Sequence, residues 1–434
     1  MEKNLEEAVK SYRLSAEKGD ADARYQLGLV YYFGQGAPKN KAEAMNWFHK
    51  AADQGHVEAQ VALGKVYNSD ESEPNNRAKA IKWFKKAADQ GHANARFYLG
   101  RVYDSGEGAF NDKAKAVKWY KKAADQGHAD ARFFLGLAYK TGEGAPEDKP
   151  EAIKLWRKAA DQGHADAQFI LGLTYASADG APEDKPEAIK WFQKAADQGH
   201  PDALFILGLA YESGEGAPED KAEAVKLFQK AADQGHAGAQ FILAVAYDRG
   251  DDAPENKALA LKWYQKAADQ GLAEAQFNLG VIYDFGEGAP ENKALALNLY
   301  QKAADQGHVD AQFNLGSLYY SDEKDTPNDK EEAIKWFQKA ADQGHADAQF
   351  YIGESYRLGE GAPRDEAEAA KWYQKAADQG HADAQYNLAH CYYQGKGVTK
   401  NKAEALIWLQ KAIAQGHFKA LKQYLRVANR DSKK

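Results

Sequence analysis

Ten histidines occupy one recurring position: His56, His92, His128, His164, His200, His236, His308, His345, His381 and His417. Each closes a motif such as Lys335-Trp-Phe-Gln-Lys-Ala-Ala-Asp-Gln-Gly-His345, which sets a Lys, an Asp, a Gln and a His side by side. An imidazole can ligate zinc or carry a proton in acid–base catalysis. A shared zinc would need its ligand atoms about 2.0–2.1 Å from one ion. Equivalent positions on stacked helices lie on the order of 8–10 Å apart. Flexible side chains can narrow that gap for a pair, but not for three. The imidazoles are therefore expected to pack or hydrogen-bond in a turn that opens a helix.

Other chemical readings are weaker. Asp342 of the motif has no second carboxylate in a fixed enclosed pair, as glycoside chemistry requires. Gly214-Glu-Gly-Ala-Pro lacks the Gly-Lys-Ser/Thr ending of a phosphate loop. Asp248, Asp251 and Asp252 do not have the spacing of a Ca²⁺ loop. Cys391 replaces Ala, Ile or Val and reads as a small buried apolar residue rather than a nucleophile. Trp47, Trp83 and Trp119 read as core before they read as stacking platforms. No catalytic, metal or cofactor residue is assigned, and no cofactor is expected.

These motifs belong to a chain of 434 residues, 44% hydrophobic and 28% charged, with a formal net charge of -7. Nucleic acid would demand a concentrated basic face. No apolar run approaches the roughly 20 residues of a membrane-spanning helix. The start, Met-Glu-Lys-Asn-Leu-Glu-Glu, is acidic where an export signal is basic and then apolar. As read, the chain is expected in the cytoplasm; a periplasmic or secreted site would require a leader ahead of it. One cysteine allows no intrachain disulfide.

The motif glycine falls at Gly19, Gly55, Gly91, Gly127, Gly163, Gly199, Gly235, Gly271, Gly307, Gly344, Gly380 and Gly416, in steps of 36 residues with one of 37. The chain is thus one unit repeated twelve times, and 1–434 is expected to form a single domain, with hairpins from about 5 to 428 and a short basic tail at 429–434. The first helix of each unit carries apolar residues at the spacing of Ala44, Trp47, Phe48, Ala51 and Ala52. Asn or Asp precedes it, at Asn40, Asn76, Asp112, Asp148, Asp184, Asp220, Asn256, Asn292, Asp329, Asp365 and Asn401, as helix caps. Glu43, Glu151 and Glu404 follow three residues later, in the manner of a capping box. The second helix starts near the histidine, and a Gly- and Pro-containing loop ends it. A hairpin this small cannot bury its own apolar face, so the copies are expected to stack into a superhelical α-solenoid. Gly at Gly28, Gly64, Gly100, Gly136 and later copies costs about 0.5–1 kcal/mol inside a helix, which implies close approach by a neighbouring helix.

The combination Ala333-Ile-Lys-Trp336, Lys339-Ala-Ala-Asp-Gln-Gly344, Leu279-Gly-Val-Ile-Tyr283 and Gly286-Glu-Gly288 resembles the Sel-one-like repeat family, a branch of the tetratricopeptide class. The resemblance runs from about Leu5 to Ala428. It implies an all-α, right-handed superhelical α-solenoid of about twelve 36-residue helix-turn-helix repeats. It also implies a non-enzymatic adaptor or scaffold for other proteins, often bacterial. A cysteine-rich branch carries a disulfide in each repeat, and this chain departs from it. Asn68–Pro74 and Ser321–Pro327 lack the Gly-rich loop of the other copies.

Comparison of the copies locates a variable stripe on the second helix, seven, ten and fourteen residues after the motif glycine, on one helical face. Its middle column includes Lys65, Arg101, Ser317, Glu354 and His390 among apolar residues, and a pure core column does not tolerate these. One reading is an apolar partner-binding strip of Phe134, Leu137, Ile170, Leu173, Ile206, Leu209, Ile242 and Val245, with polar flanks that set specificity. The other reading is that these residues are core. The expected partner is a protein or peptide, without nucleic acid or membrane insertion. Alternatives are an envelope- or glycan-binding receptor using exposed Trp and Tyr, and a hydrolase acting on cell-wall or β-lactam-like substrates.

Overall fold

Alanine, leucine and aromatic residues at helical spacing, punctuated by Gly and Pro, dictate short amphipathic helices, and the chain folds as an all-α solenoid. The computed structural model describes residues 2–70, 73, 75–105, 111–250, 255–322 and 326–428. It holds 24 helices in repeating pairs, with no strand among the described residues. They fall into two compact units, Met1–Asp220 and Lys221–Lys434.

In the first unit, helix α1 spans Glu2–Glu17, α2 Ala21–Phe33, α3 Lys41–Asp53, α4 Val57–Asn68, α5 Asn76–Asp89 and α6 Ala93–Asp104. It continues with α7 Lys113–Ala124, α8 Ala129–Thr141, α9 Lys149–Ala160, α10 Ala165–Ser177, α11 Lys185–Asp197 and α12 Pro201–Ser213. The pairs α2·α3, α4·α5, α6·α7, α8·α9 and α10·α11 pack more extensively than the two helices flanking each histidine turn. The core therefore straddles the copies. One cluster joins Leu27 of α2, Phe48 of α3, Leu63 of α4 and Trp83 of α5. In the second unit the same alternation holds, from α13 (Lys221–Asp233) to α24 (Phe418–Ala428), and one cluster joins Tyr373, Leu388, Trp408 and Val427.

The glycine column has a specific cause. A Cβ on Gly100 would lie 2.4 Å from the Tyr120 ring, and one on Gly136 would lie 2.4 Å from the Trp156 ring. Gly28, Gly64 and Gly172 in the first unit and Gly280, Gly316 and Gly353 in the second likewise face an aromatic ring of the next first helix. Burial of such a side chain contributes about 1.5–3 kcal/mol, which outweighs the cost of about 0.5–1 kcal/mol for a helical glycine.

The helix starts follow the expected caps with two differences. Asn40, Asp112, Asp148 and Asp184 accept from the backbone N–H three residues on, as do Asn256, Asn292, Asp329, Asp365 and Asn401 in the second unit. Asn76 does not cap: it is the first residue of α5, is buried, and donates its side-chain amide to the Asp70 carbonyl at 3.0 Å. The capping box does not close at Glu43 because the cap N–H is already taken. Asn40 N–H donates to the Tyr31 carbonyl of α2 at 2.8 Å, and the Glu43 carboxylate instead accepts from Trp47 Nε1 at 2.8 Å. The same link recurs from Asp112 to Tyr103, from Asp148 to Tyr139 and from Asp184 to Tyr175, and in the second unit from Asn256 to Tyr247. This hydrogen bond ties these linkers to the preceding second helix, whereas Asn76 N–H donates to the Glu73 carbonyl instead. The two loops without Gly-rich sequence fall partly at residues 71, 72, 74 and 323–325, outside the described residues, as do Asp251, Asp252 and the tail at 429–434.

Candidate functional site

The first helix ends in a turn that explains the histidine. At Gly91, with φ 92°, the chain enters the left-handed region. His92 N–H donates to the Ala87 carbonyl at 3.2 Å and Gly91 N–H to the Ala88 carbonyl at 3.0 Å, which satisfies the last carbonyls of α5. His92 is then the cap of α6: its Nδ1 accepts from Ala95 N–H at 3.2 Å. Its Nε2 meets Glu58 of the preceding copy at 2.9 Å. Because Nδ1 accepts, Nε2 carries the proton and donates. His200 repeats the arrangement with Ala203 N–H and Asp166, and its ring stacks on Phe169 with centroids 4.7 Å apart. His381 and His417 do so in the second unit with Asp347 and Asp383. Leu272 occupies this place in α16 (Ala273–Phe285) and makes no side-chain cap. Both nitrogens of these rings are engaged in holding turns. Among the described residues no group of three or more His, Cys, Asp or Glu is arranged to hold a metal.

His128 differs in one respect. The residue equivalent to Glu58 is Asn94, which offers no carboxylate. Burial, together with the neighbouring His164 and His92, holds the His128 imidazole below its ordinary pKa against the opposing pull of Asp130.

The variable stripe is neither fully core nor free surface. Phe134, Leu137, Ile170, Ile206 and Leu209 are half-buried, and Leu173 is 37% exposed. In the second unit Ile242 and Val245 are half-buried. Phe134 stacks on Tyr120 at 5.6 Å, and the Arg101 guanidinium covers it at 4.4 Å. Leu137 and Ile170 pack against the cluster around Trp156.

Four of the stripe residues, Phe134, Leu137, Ile206 and Leu209, line a niche that recurs in register. Phe134 and Leu137 share a cavity of about 260 Å³ with Val117 and Tyr120 of α7. Ile206 and Leu209 share one of about 250 Å³ with Ile189 and Phe192 of α11. Each is rimmed by an ion pair between residues thirty apart: Lys113 with Glu143 at 3.1 Å, and Lys185 with Glu215. Reading the stripe alone misses this first-helix wall and the rim. The signal is present as two further columns, the Lys that opens each first helix and the Glu between the loop glycines.

The same niche occurs in the second unit between α20 (Ala346–Leu358), α21 (Glu366–Asp378) and α22 (Ala382–Gln394), with a volume of about 310 Å³. There its floor is Asn387 and His390 instead of two apolar residues, and the rim pair is inverted, Glu366 with Lys396 at 3.8 Å. Cys391 also lines it, and burial pushes that thiol up to about 11, away from the range of a nucleophile.

The tryptophans that a glycan receptor would use are largely withdrawn, whereas most tyrosines, such as Tyr67 and Tyr98, are half-buried. Eight of the nine Trp residues are buried, and Trp119 is half-buried. Lysines cover several of the rings, Lys194 lying 3.8 Å from the Trp191 centroid and Lys86 4.1 Å from that of Trp83.

Paired helices with a shared, copy-straddling core define a tetratricopeptide-like α-solenoid. The chain belongs to the Sel1 repeat family: the Sel1 repeat pattern matches residues 1–20 and then eleven blocks from 21–56 to 382–417. Most of these blocks run from one turn histidine to the next and so contain a second helix and the following first helix, the pair that packs most extensively. The chain is similar to c5321, a protective antigen of uropathogenic Escherichia coli displaying an SLR fold, at 34% identity over 97% of this chain and 90% of that one, with a TM-score of 0.77. It is also similar to a Sel1 repeat protein from Oxalobacter formigenes, at 35% identity over 58% of this chain and 99% of that one, with a TM-score of 0.52. Comparison with curated proteins gave no match. Sel1 repeat solenoids typically mediate protein–protein interaction. Among the described residues no helix is long and apolar enough to cross a membrane.

Proposed function

We propose that this chain is a non-enzymatic scaffold whose second-helix stripe binds a partner protein or peptide. The observation that carries the reading is the niche repeated at α7/α8 and α11/α12, half-buried and apolar at its floor, with an ion pair at its rim. Accessible apolar surface rimmed by polar groups is characteristic of interaction sites and binding grooves. An extended partner could seat one side chain in each niche, with backbone polar groups facing the rim charges. The strip in the first unit comprises Phe134, Leu137, Ile170, Leu173, Ile206 and Leu209, and Ile242 with Val245 continues the pattern in the second. The reading treats 1–434 as one working domain, and a bacterial origin accords with both relatives.

The competing readings have less support. A hydrolase needs a nucleophile and a base within hydrogen-bond reach in an enclosed pocket; Cys391 is buried with a raised pKa. A glycan receptor needs open aromatic faces, and the tryptophans are mostly buried.

The test replaces Leu173 and Leu209 with Asp and captures partners from the native host with wild type and variant in parallel. Loss of the captured protein, with helical content and melting temperature retained, supports the strip. Unfolding of the variant identifies the two leucines as core and removes it.

A further inference from the structure

The central niches and the one at α20–α22 carry opposite charge balances. Lys113 faces two carboxylates, Asp104 at 2.9 Å and Glu143 at 3.1 Å, and Lys185 likewise faces Glu183 and Glu215. In the α20–α22 niche one carboxylate, Glu366, serves two cations, Arg364 at 2.8 Å and Lys396 at 3.8 Å. Those cations stay 63% and 46% exposed. The other carboxylate, Glu354, is already used: it accepts from Asn387 Nδ2 at 2.7 Å, from Arg357 Nε at 3.1 Å and from the Tyr373 hydroxyl. The positive excess reaches the floor, where burial, Lys396 and Arg357 hold His390 below its ordinary pKa against Glu366.

We propose that this niche binds an acidic side chain of a partner, its carboxylate held between Arg364 and Lys396 above His390. The inference rests on the scaffold reading and adds the chemistry of one pocket. An arriving carboxylate would complete a pairing that Glu366 alone leaves half-made, and an exposed guanidinium offers it two parallel donors. The apolar floor of the central niches would instead leave such a group desolvated beside acids, at a cost. The inverted rim is thus a filter for charge.

The experiment uses the full chain and follows the His390 imidazole by NMR, with its resonance assigned through H390N. The probes are N-acetylglutamic acid amide, its neutral glutamine counterpart and inorganic phosphate. The expected result is a saturable shift with the glutamic probe, movement of the His390 titration to higher pH, and binding weakened about tenfold or more in R364Q/K396Q. Both substituted positions are exposed, and circular dichroism checks that the fold is kept. No response, an equal response to the glutamine probe, or an undiminished response in the double variant would overturn the proposal. A response to phosphate alone would also overturn it, in favour of a phosphate site. The L173D/L209D capture reads the first unit only, so failure of one test is distinguishable from failure of the other.

Discussion

Gly100 of α6 and Tyr120 of α7 are in such contact that a Cβ on the glycine would stand 2.4 Å from two carbons of the ring. No real Cβ tolerates that distance, and Tyr120 is held by its hydroxyl bond to Asp104 at 3.0 Å. Gly100→Ala is therefore expected to destabilise the chain by about 1–3 kcal/mol through overpacking, despite alanine's better helix propensity. Thermal or urea unfolding checks it; a variant as stable as wild type would show that the two helices slide apart freely.

The turn histidines act as caps, so their replacement separates two contributions. His200→Ala removes the acceptor for Ala203 N–H, and loss of such a cap costs about 0.5–2 kcal/mol. His200→Asn keeps an acceptor but shortens the reach to Asp166 and loses the stack on Phe169. The expected order of melting temperature is wild type, then H200N, then H200A.

His128 makes stability pH-dependent, with a definite sign. Its folded-state pKa is depressed, so the unfolded chain takes up a proton first as pH falls. The stabilisation is complete above the ordinary imidazole value of about 6.5, and it is lost as pH falls from there through the folded-state pKa. Asn94→Asp supplies the carboxylate that Glu58 gives His92. It is expected to raise the His128 pKa, read by imidazole NMR, and to reduce the loss of stability below that pH. An unchanged titration would show that Asn94 does not face the ring.

The inverted rim pair of the second unit makes a charge-swap prediction for the first. Lys185→Glu places a new acid beside Glu183 and Glu215 and is expected to lower the melting temperature. K185E/E215K re-forms an ion pair of opposite sense, as at Glu366 and Lys396, and is expected to recover part of that loss. Both effects should shrink as salt is added, because the pair is exposed.

Much of this fold is legible in the chain itself because its cause is periodic. The 36-residue step, the apolar spacing in the first helix and the glycine column follow from one packing arrangement repeated many times. What was harder to read depends on competition for a single group. Glu43 has the spacing of a capping box, but the Tyr31 carbonyl takes the N–H that it would have accepted. Asn76 has the position of a cap, but an earlier helix start lets its amide reach Asp70. The niche is half legible for a similar reason. Phe134 and Leu137 lie on one helical face, whereas Lys113 and Glu143 meet only when two helices and a loop are placed in three dimensions.

The heaviest packing lies across the loop, between a second helix and the first helix that follows. Chimaeras with related solenoids should therefore keep their interior when the crossover falls at the motif glycine, and lose it when the crossover falls among the loop residues. Gly380 is a special seam. A crossover there separates Glu366 from Lys396, and an incoming segment of the usual kind would set its own acid against Glu366, so those two residues have to be inherited together.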